Sequence, residues 1–381
     1  MNILFLIYHG FSEYSGISKK IRYQVKGLLQ NGHEVHLCYY DRGKNEHWQR
    51  LVNDGEVLED FGIGKTAGFR QRISYGAIYD YCIKKNIQMV YARCFMNANP
   101  WLNYFFGKLK KAGIKAVMEI PTYPYDQELE GFSRTERIQL HIDQLFRKGL
   151  ARQLNAVVTF TNQEKIFGQR TIRISNGVDF ESIPLHQGQW SMANGQLHLI
   201  GVAEVHYWHG YDRLIAGLGE YYQSSKTQRD VFFHVVGGVW KSEMYDDEHA
   251  PGFSELIKKY NIEDKVIFHG QLFGDELNAI FDQCCFAVGS LARHRTGISD
   301  IKTLKNREYA SRGLPFVYSE NDSDFDRQSY VLKVPADESP IDIERIVEFV
   351  EQMQMTPSEI RKTVEHLSWK VQMQKVVEGV Q

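Results

Sequence analysis

The sequence has few of the features that mark membrane-spanning, secreted or metal-binding proteins. Its longest apolar runs, such as Ile3–Tyr8, fall far short of the roughly 20 residues that cross a bilayer. The first residues form a strand-like segment and lack the basic, apolar and small-residue sections of a signal peptide. No HExxH pattern or similar metal-ligand spacing occurs, so no metal is expected.

Cysteine is also scarce. The five cysteines form no CxxC pair, which favours buried, reduced thiols and a cytoplasmic location. They are Cys38, Cys82, Cys94, Cys284 and Cys285.

The net charge is small but unevenly distributed. It is −2 for the whole chain, whereas residues 1–185 carry +7 and the remainder carries −9. The basic half favours an anionic partner, and the acidic half argues against a protein that coats nucleic acid. A drift of surface charge between two domains would explain the same asymmetry.

Strand-like and helix-like segments alternate along the chain, without repeats or low-complexity tracts, which predicts an α/β fold. The alternation pauses after Pro184 and restarts at Leu197–Ala203. We therefore expect two facing, doubly wound Rossmann-like domains with an interdomain cleft. The predicted domains are residues 1–182 together with a C-terminal helix over 365–381, and residues 183–364.

A pair of carboxylates in the second half is the strongest chemical signal. Asp300 and Glu308 have seven residues between them, in a helix-like segment that ends at Gly313. We expect Asp300 at the helix N-cap and Glu308 two turns along the same face, where both can bind sugar hydroxyls. Alone, Glu308 would be interpreted as an exposed carboxylate paired with Arg312.

Groups that favour an anion lie around the same expected helix start. The backbone amides of Lys302 and Thr303 are predicted to be free for an anion. The side chains of Lys302 and Lys305 are placed to offset phosphate charge.

This stretch resembles the Glu-x7-Glu element of group 1 glycosyltransferases (glycosyltransferase family 4), which are retaining enzymes with the GT-B fold. The resemblance implies that Asp300 contacts the transferred sugar and that Glu308 contacts the nucleotide ribose. It implies no metal or other cofactor. Asp300 departs from the family pattern because its side chain is one methylene shorter than Glu.

Other segments resemble the same family in the same order. Tyr14–Lys20 resembles the glycine-rich loop, in which an amide near Gly16 approaches the donor phosphate, although a glycine also suits any tight strand–helix turn. Arg173–Asp179 resembles the "NGVD" crossing between domains. Phe268–Leu272 resembles the strand and turn whose backbone contacts the nucleobase, and His366–Trp369 the closing helix.

One family feature is missing. The signature at Ile200–Leu214 has Glu204 and His209 where the family usually has an Arg and a Lys that bind the diphosphate. A carboxylate repels a diphosphate, and a neutral imidazole replaces an ammonium poorly. Arg293, Arg295 and Lys302 are the predicted replacements; loss of catalysis, or an ordinary loop role for the two residues, is the alternative. The predicted donor-binding residues are Gly16, Glu204, His209, Leu272, Arg293, Arg295, Ile301, Lys302, Thr303, Lys305 and Glu308.

The acceptor side is predicted in the first domain. Residues 119–126 form a stiff, aromatic loop after a strand, in which Tyr123 can shape the acceptor site and Glu119 or Asp126 can accept the acceptor proton. Arg93 ends another strand and can meet an anionic acceptor. A rigid structural turn and a buried structural arginine are the alternatives.

Two helix-like segments of the first domain, Trp101–Lys111 and Arg134–Arg152, combine apolar and basic residues. We expect most of their apolar residues in the core and the basic side at a membrane surface.

The sequence thus predicts a retaining transferase that moves a hexosyl unit from a nucleotide-diphosphate sugar to a hydroxyl of a glycan or lipid-linked acceptor. The expected setting is bacterial-type cell-surface polysaccharide biosynthesis, at the inner face of the membrane. A sugar-nucleotide epimerase of the same fold and a non-catalytic binding partner are the rival interpretations.

Overall fold

The computed structural model describes residues 1–11, 15–42, 46–93, 96–127, 133–187, 195–224, 229–239 and 252–381. The chain divides into two compact units: unit 1 is Met1–Gly177 with Leu367–Gln381, and unit 2 is Val178–His366. The boundaries predicted after residues 182 and 364 lie five and two residues from these. Tyr14 and Cys94 fall outside the described residues.

Unit 1 is built on a nine-stranded sheet with the order β4-β3-β2-β1-β5-β6-β7-β9-β8. Its strands are β1 (Asn2–Leu6), β2 (Glu34–Arg42), β3 (Trp48–Val52), β4 (Glu56–Asp60), β5 (Met89–Arg93), β6 (Lys115–Ile120), β7 (Ala156–Thr159), β8 (Lys165–Ile166) and β9 (Gln169–Arg173). The strand order reverses between β1 and β5, because β2 lies on one side of β1 and β5 on the other. Open α/β sheets bind ligands beyond the carboxyl ends of the strands at such a point.

Both edges of this sheet depart from the predicted all-parallel arrangement. β3 runs antiparallel to β2 and to β4, and β8 runs antiparallel to β9. The turn between β3 and β4 has positive φ at Asn53 (52°) and Gly55 (101°), residue types that tolerate this conformation. This hairpin extends the sheet beyond its parallel centre.

The helices of unit 1 are α1 (Gly16–Gln30), α2 (Lys65–Ile73), α3 (Gly76–Lys84), α4 (Pro100–Lys111) and α5 (Arg134–Ala151). Residues 65–84 form two helices and not one, because the backbone is extended at Ser74 (ψ 120°). A Ser133–Glu136 capping box starts α5.

The last helix, α12 (Trp369–Val380), belongs to unit 1. It lies against α1 so closely that a Cβ at Gly27 would be 2.7 Å from the Trp369 backbone. The C-terminal helix predicted over 365–381 starts four residues later, at Trp369. Ser368 caps α12 by accepting a hydrogen bond from the Val371 amide.

Unit 2 contains a six-stranded sheet in which every described strand pair is parallel, with the order β12-β11-β10-β13-β14-β15. Its strands are β10 (Gln196–Val202), β11 (Asp230–Val236), β12 (Val266–Gly270), β13 (Phe286–Val288), β14 (Phe316–Tyr318) and β15 (Val331–Lys333). The order reverses between β10 and β13. The expected ligand position in unit 2 is beyond the carboxyl ends of these two strands.

The helices of unit 2 are α6 (Tyr211–Gln223), α7 (Phe253–Tyr260), α8 (Gly274–Gln283), α9 (Leu304–Arg312), α10 (Ile343–Glu351) and α11 (Pro357–Thr363). Among the described residues of both units, none of the helices combines the length and apolar character that a bilayer-spanning segment needs.

Three histidines form a row across neighbouring strands of unit 2. His198 Nδ1 lies 2.8 Å from His234 Nε2, and His234 Nδ1 lies 2.8 Å from His269 Nε2. Burial, and then the charges of the other two histidines, lower the pKa of His234 to about 4. The row is therefore uncharged at neutral pH.

Candidate functional site

The strongest candidate site lies at the carboxyl edge of the unit 2 sheet. The segments that follow β13 and β14 meet there, where the Ser319 amide donates to the Ser290 carbonyl over 3.0 Å. Helix α9 starts at the same edge: a Cβ at Gly289 would lie 2.9 Å from Asn306 Oδ1. Two strand ends and a helix N-terminus thus converge near the reversal in strand order.

Five side chains at this edge have buried polar atoms without a hydrogen-bond partner among the described residues. We call them the α9 cluster: Ser290, Thr303, Lys305, Asn306 and Glu320. A contact of the Glu320 carboxylate with its own backbone amide is the one exception. Buried polar groups in folded proteins nearly always have partners, and each unpartnered group costs about 1–3 kcal/mol. So many unpartnered groups at one edge indicate a position for a polar ligand.

The start of α9 itself is uncapped. Thr303 is the N-cap residue, but its hydroxyl makes no capping hydrogen bond. Because a helix leaves its first amides without intrahelical partners, these N–H groups and the positive end of the helix dipole favour an anion.

Burial shifts the pKa values of the two ionisable residues of the α9 cluster, Lys305 and Glu320. The Nζ atom of Lys305 is shielded from solvent, although the side chain as a whole is only partly buried. Burial and the positive charge of Arg293 lower the pKa of Lys305 to about 7, against the opposing effect of Glu320. Burial raises the pKa of Glu320 to about 7, although Arg293 and Lys305 oppose this. A bound diphosphate would favour the ammonium form of Lys305.

Arg293 supplies a second cation near Lys305. It lies in a short 3-10 helix, Arg293–Thr296, after β13, and its guanidinium carbon is 5.5 Å from the Trp208 ring centroid. Its charge acts on Lys305 and also on His209. Arg293 thus lies near Lys305, and its role as a replacement for the missing cation stays a prediction.

His209 cannot act as a cation in this environment. Its Nδ1 accepts a hydrogen bond from the His206 amide over 2.9 Å, which places the proton of the neutral ring on Nε2. Burial, followed by the charges of Lys305 and Arg293, lowers the pKa of His209 well below its usual value. Glu204, the other residue that departs from the family pattern, is exposed in the turn after β10.

Two other predicted cations already have carboxylate partners. Arg295 bonds Asp212 with two nitrogens, at 3.0 and 2.7 Å, and also bonds Glu338. The Nζ atom of Lys302 lies 3.5 Å from Asp324. Because Arg295 and Lys302 contact carboxylates within the chain, they are poorer candidates for diphosphate binding than Lys305, whose Nζ has no hydrogen-bond partner among the described residues.

The prediction that Asp300 caps the helix is wrong. The residues before Thr303 are not helical; Asp300 is exposed and forms an isolated parallel bridge with Asn321. Its carboxylate accepts a hydrogen bond from the Ser299 hydroxyl over 2.9 Å. Asp300 therefore lies before the helix start, and the Ile301 amide donates to the Asn321 carbonyl instead of facing an anion.

Glu308 lies in α9 and is paired with Arg312, as the alternative interpretation of the sequence stated. Its Oε1 atom accepts from Nε and Nη2 of Arg312, at 3.1 and 2.9 Å. Its Oε2 atom has no hydrogen-bond partner among the described residues, and the side chain is 26% exposed. One oxygen thus remains able to accept a ligand hydroxyl. Leu272, the predicted base contact, is partly buried between β12 and α8.

In unit 1 the structure argues against Glu119 as a proton acceptor. Its carboxylate is fully buried and bonds Lys20, Gln24, Tyr91 and Arg93. Burial alone would raise its pKa, but the charges of Lys20 and Arg93 and the hydrogen bonds lower the pKa of Glu119 to about 2. An ionised carboxylate with this many donors is a poor base at neutral pH.

The other acceptor-side predictions have mixed outcomes. Asp126 is bound by both terminal nitrogens of Arg147, at 2.7 and 2.8 Å, which lowers the pKa of Asp126 and argues against it as a base. Tyr123 packs edge-on against Phe167. Gly16, which was predicted to bind the donor, is exposed. An added Cβ there would meet no described atom within 4 Å, so the fold does not require glycine at this position.

The apolar residues of α5 are not mostly in the core. Leu140 and Leu150 are buried, but Ile138, Ile142 and Leu145 are exposed by 61%, 39% and 65%. The spacings of four and three residues place these three on one face of the helix. On the neighbouring α4, Trp101 and Tyr104 are exposed as well.

Sequence reasoning missed Ser290, Asn306 and Glu320. Ser290 and Glu320 each lie two residues beyond a strand of the parallel sheet, the position at which such folds bind ligands. Asn306 lies in the first turn of the helix already singled out. Their positions along the predicted elements could have drawn attention to all three.

No model of a known protein family matches the sequence, and no curated protein matches it. Solved structures do match along nearly the whole chain. Sucrose-phosphate synthase from Thermosynechococcus elongatus is 15% identical with a TM-score of 0.66, over 99% of this chain and 98% of that one. The catalytic domain of starch synthase IV from Arabidopsis thaliana, bound to ADP and acarbose, is 12% identical with a TM-score of 0.64, over 99% and 98%.

A third match is trehalose-6-phosphate synthase from E. coli, bound with UDP-2-fluoro glucose. It is 10% identical with a TM-score of 0.60, over 99% of this chain and 98% of that one. At such identities the similarity establishes the fold. The expected resemblance is confirmed at that level: the chain has the GT-B fold of these glycosyltransferases, built from two Rossmann-like units.

Proposed function

We propose that this chain is a nucleotide-sugar-dependent glycosyltransferase that moves a hexosyl unit to an acceptor hydroxyl with retention of anomeric configuration. The observation that carries the proposal is the α9 cluster, a group of unpartnered buried polar atoms at an uncapped helix N-terminus. Its position at the strand-order reversal of unit 2 supports a ligand there. The nucleotide sugars and nucleotides bound to proteins of the same fold support the choice of ligand.

In this proposal the donor diphosphate lies at the start of α9. The ammonium of Lys305, the guanidinium of Arg293 and the first amides of the helix offset its charge. This assigns the role of the missing Arg and Lys to side chains of the chain and not to a metal ion. Glu308 Oε2 accepts from a ribose hydroxyl, and Asp300, exposed before the helix, contacts the transferred sugar.

The chemical step then follows from charge. The bond between the anomeric carbon and the diphosphate oxygen breaks, and the anomeric carbon bonds the acceptor oxygen. Negative charge grows on the leaving diphosphate, where Lys305 and Arg293 stabilise it. Because Glu119 and Asp126 are bound by cations, neither accepts the proton of the acceptor hydroxyl. That proton goes to a phosphate oxygen of the leaving group.

The proposed setting is glycan assembly at the cytoplasmic face of a membrane. Cys38, Cys82, Cys284 and Cys285 are buried and unpaired, in keeping with a reducing compartment. The exposed stripe of Ile138, Ile142 and Leu145, on a helix that also carries Arg134, Arg137 and Lys148, fits an anionic lipid surface. The acceptor is accordingly assigned to a lipid-linked glycan.

A vesicle assay tests the membrane part. The chain should sediment with vesicles that contain anionic lipid and much less with neutral ones. Ile138→Glu with Leu145→Glu should abolish sedimentation. Val57→Glu with Ile83→Glu, at two half-exposed apolar residues on β4 and α3, is the matched control and should leave sedimentation unchanged. Equal loss in both variants would contradict the assignment to α5.

A donor panel tests the catalytic proposal. UDP-, GDP-, ADP- and CDP-sugars are incubated with the chain, and hydrolysis, epimerisation and transfer to added glycans are measured. Release of nucleoside diphosphate that increases with an acceptor supports the transferase. Conversion of the free donor to its epimer supports the rival epimerase, and nucleotide binding without turnover supports a non-catalytic partner. Absence of nucleotide binding contradicts all three.

A further inference from the structure

Unit 1 contains a cavity at its own reversal in strand order. The cavity has a volume of about 760 Å³, and its wall includes His9 after β1, Arg93 at the end of β5, and Trp48, Lys65, Gln71 and Arg72. The carboxyl ends of β1 and β5 are the position at which a doubly wound sheet binds a ligand. All of these residues belong to unit 1, so the cavity is distinct from the α9 cluster.

The charge of the cavity wall has one sign. Among its described lining residues, Lys65, Arg72 and Arg93 are cationic and none is acidic. Arg93 donates from Nε to Glu119 over 3.3 Å and lies within 3.3 Å of His9 through Nη1. Glu119 also bonds Lys20, so one carboxylate faces two cations and positive charge remains at the wall. This wall favours an anionic ligand.

Two buried donors in the wall lack acceptors among the described residues. Gln71 is 7% exposed, and its amide Nε2 has no hydrogen-bond partner. The indole Nε1 of Trp48 is buried and unpartnered as well. Unmade hydrogen bonds of this kind are costly unless a ligand completes them. Two donors and three cations together describe a cavity for a ligand rich in oxygen acceptors.

Apolar side chains lie at the rim. Phe69 lines the cavity and is 60% exposed. Arg72 donates to Gln139 over 3.2 Å, and Gln139 lies three residues before the exposed Ile142, on the same face of α5. The rim of the cavity therefore continues to the apolar stripe of α5.

We propose that this cavity binds the acceptor of the transfer reaction and that the acceptor carries a phosphate group. The identification of the ligand as the acceptor rests on the proposed function, whereas the anion-binding site itself does not depend on it. Lys65, Arg72 and Arg93 bind the phosphate, and Trp48 and Gln71 donate to sugar oxygens. A free sugar phosphate and a lipid-linked sugar phosphate share this chemistry, and the apolar rim favours the lipid-linked form.

The test uses the double variant Lys65→Glu/Arg72→Glu. Both side chains are exposed and neither forms an ion pair with a described residue, so the fold should persist. The matched control is Lys84→Glu/Lys85→Glu, an equal charge change on exposed residues at the end of α3. Binding of glucose 6-phosphate, decyl phosphate, glucose and the nucleoside diphosphates UDP, GDP, ADP and CDP is measured by calorimetry in the absence of donor sugar.

The wild type and the control should bind glucose 6-phosphate or decyl phosphate, and the cavity variant should bind at least tenfold more weakly. Tighter binding of decyl phosphate identifies the lipid-linked source, and tighter binding of glucose 6-phosphate identifies the free one. Uncharged glucose should bind weakly, and any of the four nucleoside diphosphates that binds the wild type should bind all three proteins alike. If neither phosphate compound binds, or if the cavity variant binds them as tightly as the wild type, the inference is overturned. Binding of a nucleoside diphosphate to the wild type then leaves the proposed function intact, whereas failure of all four contradicts that function instead.

Discussion

Replacement of Lys305 by methionine should stabilise the ligand-free chain and weaken nucleotide binding at the same time. Methionine keeps the length of the side chain but removes an ammonium whose Nζ is buried without a hydrogen-bond partner. Removal of such a group relieves a penalty of about 1–3 kcal/mol. For a unit of this size, each kcal/mol changes the melting temperature by about 2–4 °C. We therefore expect a rise of several degrees.

The effect on binding has the opposite sign. A hydrogen bond from an ammonium to a phosphate contributes about 1.5–3 kcal/mol, so the dissociation constant of a nucleoside diphosphate should rise roughly 10- to 150-fold. Because the pKa of Lys305 is about 7 in the free chain and a diphosphate favours the ammonium, wild-type affinity should fall as the pH rises above neutrality. The Lys305→Met variant should show a weaker dependence, because Glu320, with a pKa of about 7 in the same cluster, still becomes ionised as the pH rises.

Thermal unfolding and calorimetry measure the two effects on the same samples. The control is Lys265→Met, the same substitution directly before β12, at the opposite edge of the sheet. Lys265 bonds Asp230 and Asp264, at 3.0 and 3.2 Å, so its loss should not raise stability and should leave nucleotide affinity unchanged. The assignment of the α9 cluster would be refuted if Lys305→Met bound the nucleoside diphosphate as tightly as the wild type does. It would also be refuted if Lys265→Met lost as much affinity as Lys305→Met.

Three further predictions follow from the same contacts. Glu119→Gln should leave Lys20 buried without its charge partner and destabilise the chain by about 3–5 kcal/mol in denaturant unfolding. The pH–rate profile of the folded enzyme should not change. Loss of the acidic limb of that profile would show instead that Glu119 is the base. Glu308→Ala should weaken binding of a nucleoside diphosphate about tenfold but not of inorganic pyrophosphate, and an equal effect on both contradicts a ribose contact. His234, with its pKa lowered to about 4, should favour folding above pH 6.5 and lose this contribution as the pH falls towards 4. In urea unfolding, the free energy of unfolding should therefore fall more between pH 7.5 and 5 in the wild type than in His234→Gln.

The parallel centre of each sheet could be predicted from sequence, because a strand covered on both faces is a continuous apolar run. The strand predicted at Leu197–Ala203 is observed at Gln196–Val202. The hairpin of β3 and β4 was missed because its strands contain many polar residues. Arg50 in β3 is fully buried and is held by Tyr40, Glu59 and the Ser74 carbonyl. From sequence, a buried arginine with distant partners looks like a residue of a surface loop.

The candidate site could be predicted in part. Lys305 and the helix start were identified because their types and spacing favour an anion. Asp300 was misplaced because the residues before Thr303 have extended bonds to Asn321 that no local pattern indicates. The role of Glu119 depends on Lys20, which lies 99 residues earlier in the chain. Glu320 matters because its buried carboxylate has no hydrogen-bond partner on another described residue, which only the folded structure reveals.

A crystal structure of the chain with the nucleoside diphosphate that binds most tightly tests the central claim most directly. We expect the diphosphate at the first turn of α9, with a phosphate oxygen within hydrogen-bond distance of Lys305 Nζ and the ribose beside Glu308. A nucleotide bound elsewhere in the chain, with the α9 cluster unchanged from the ligand-free state, would contradict it.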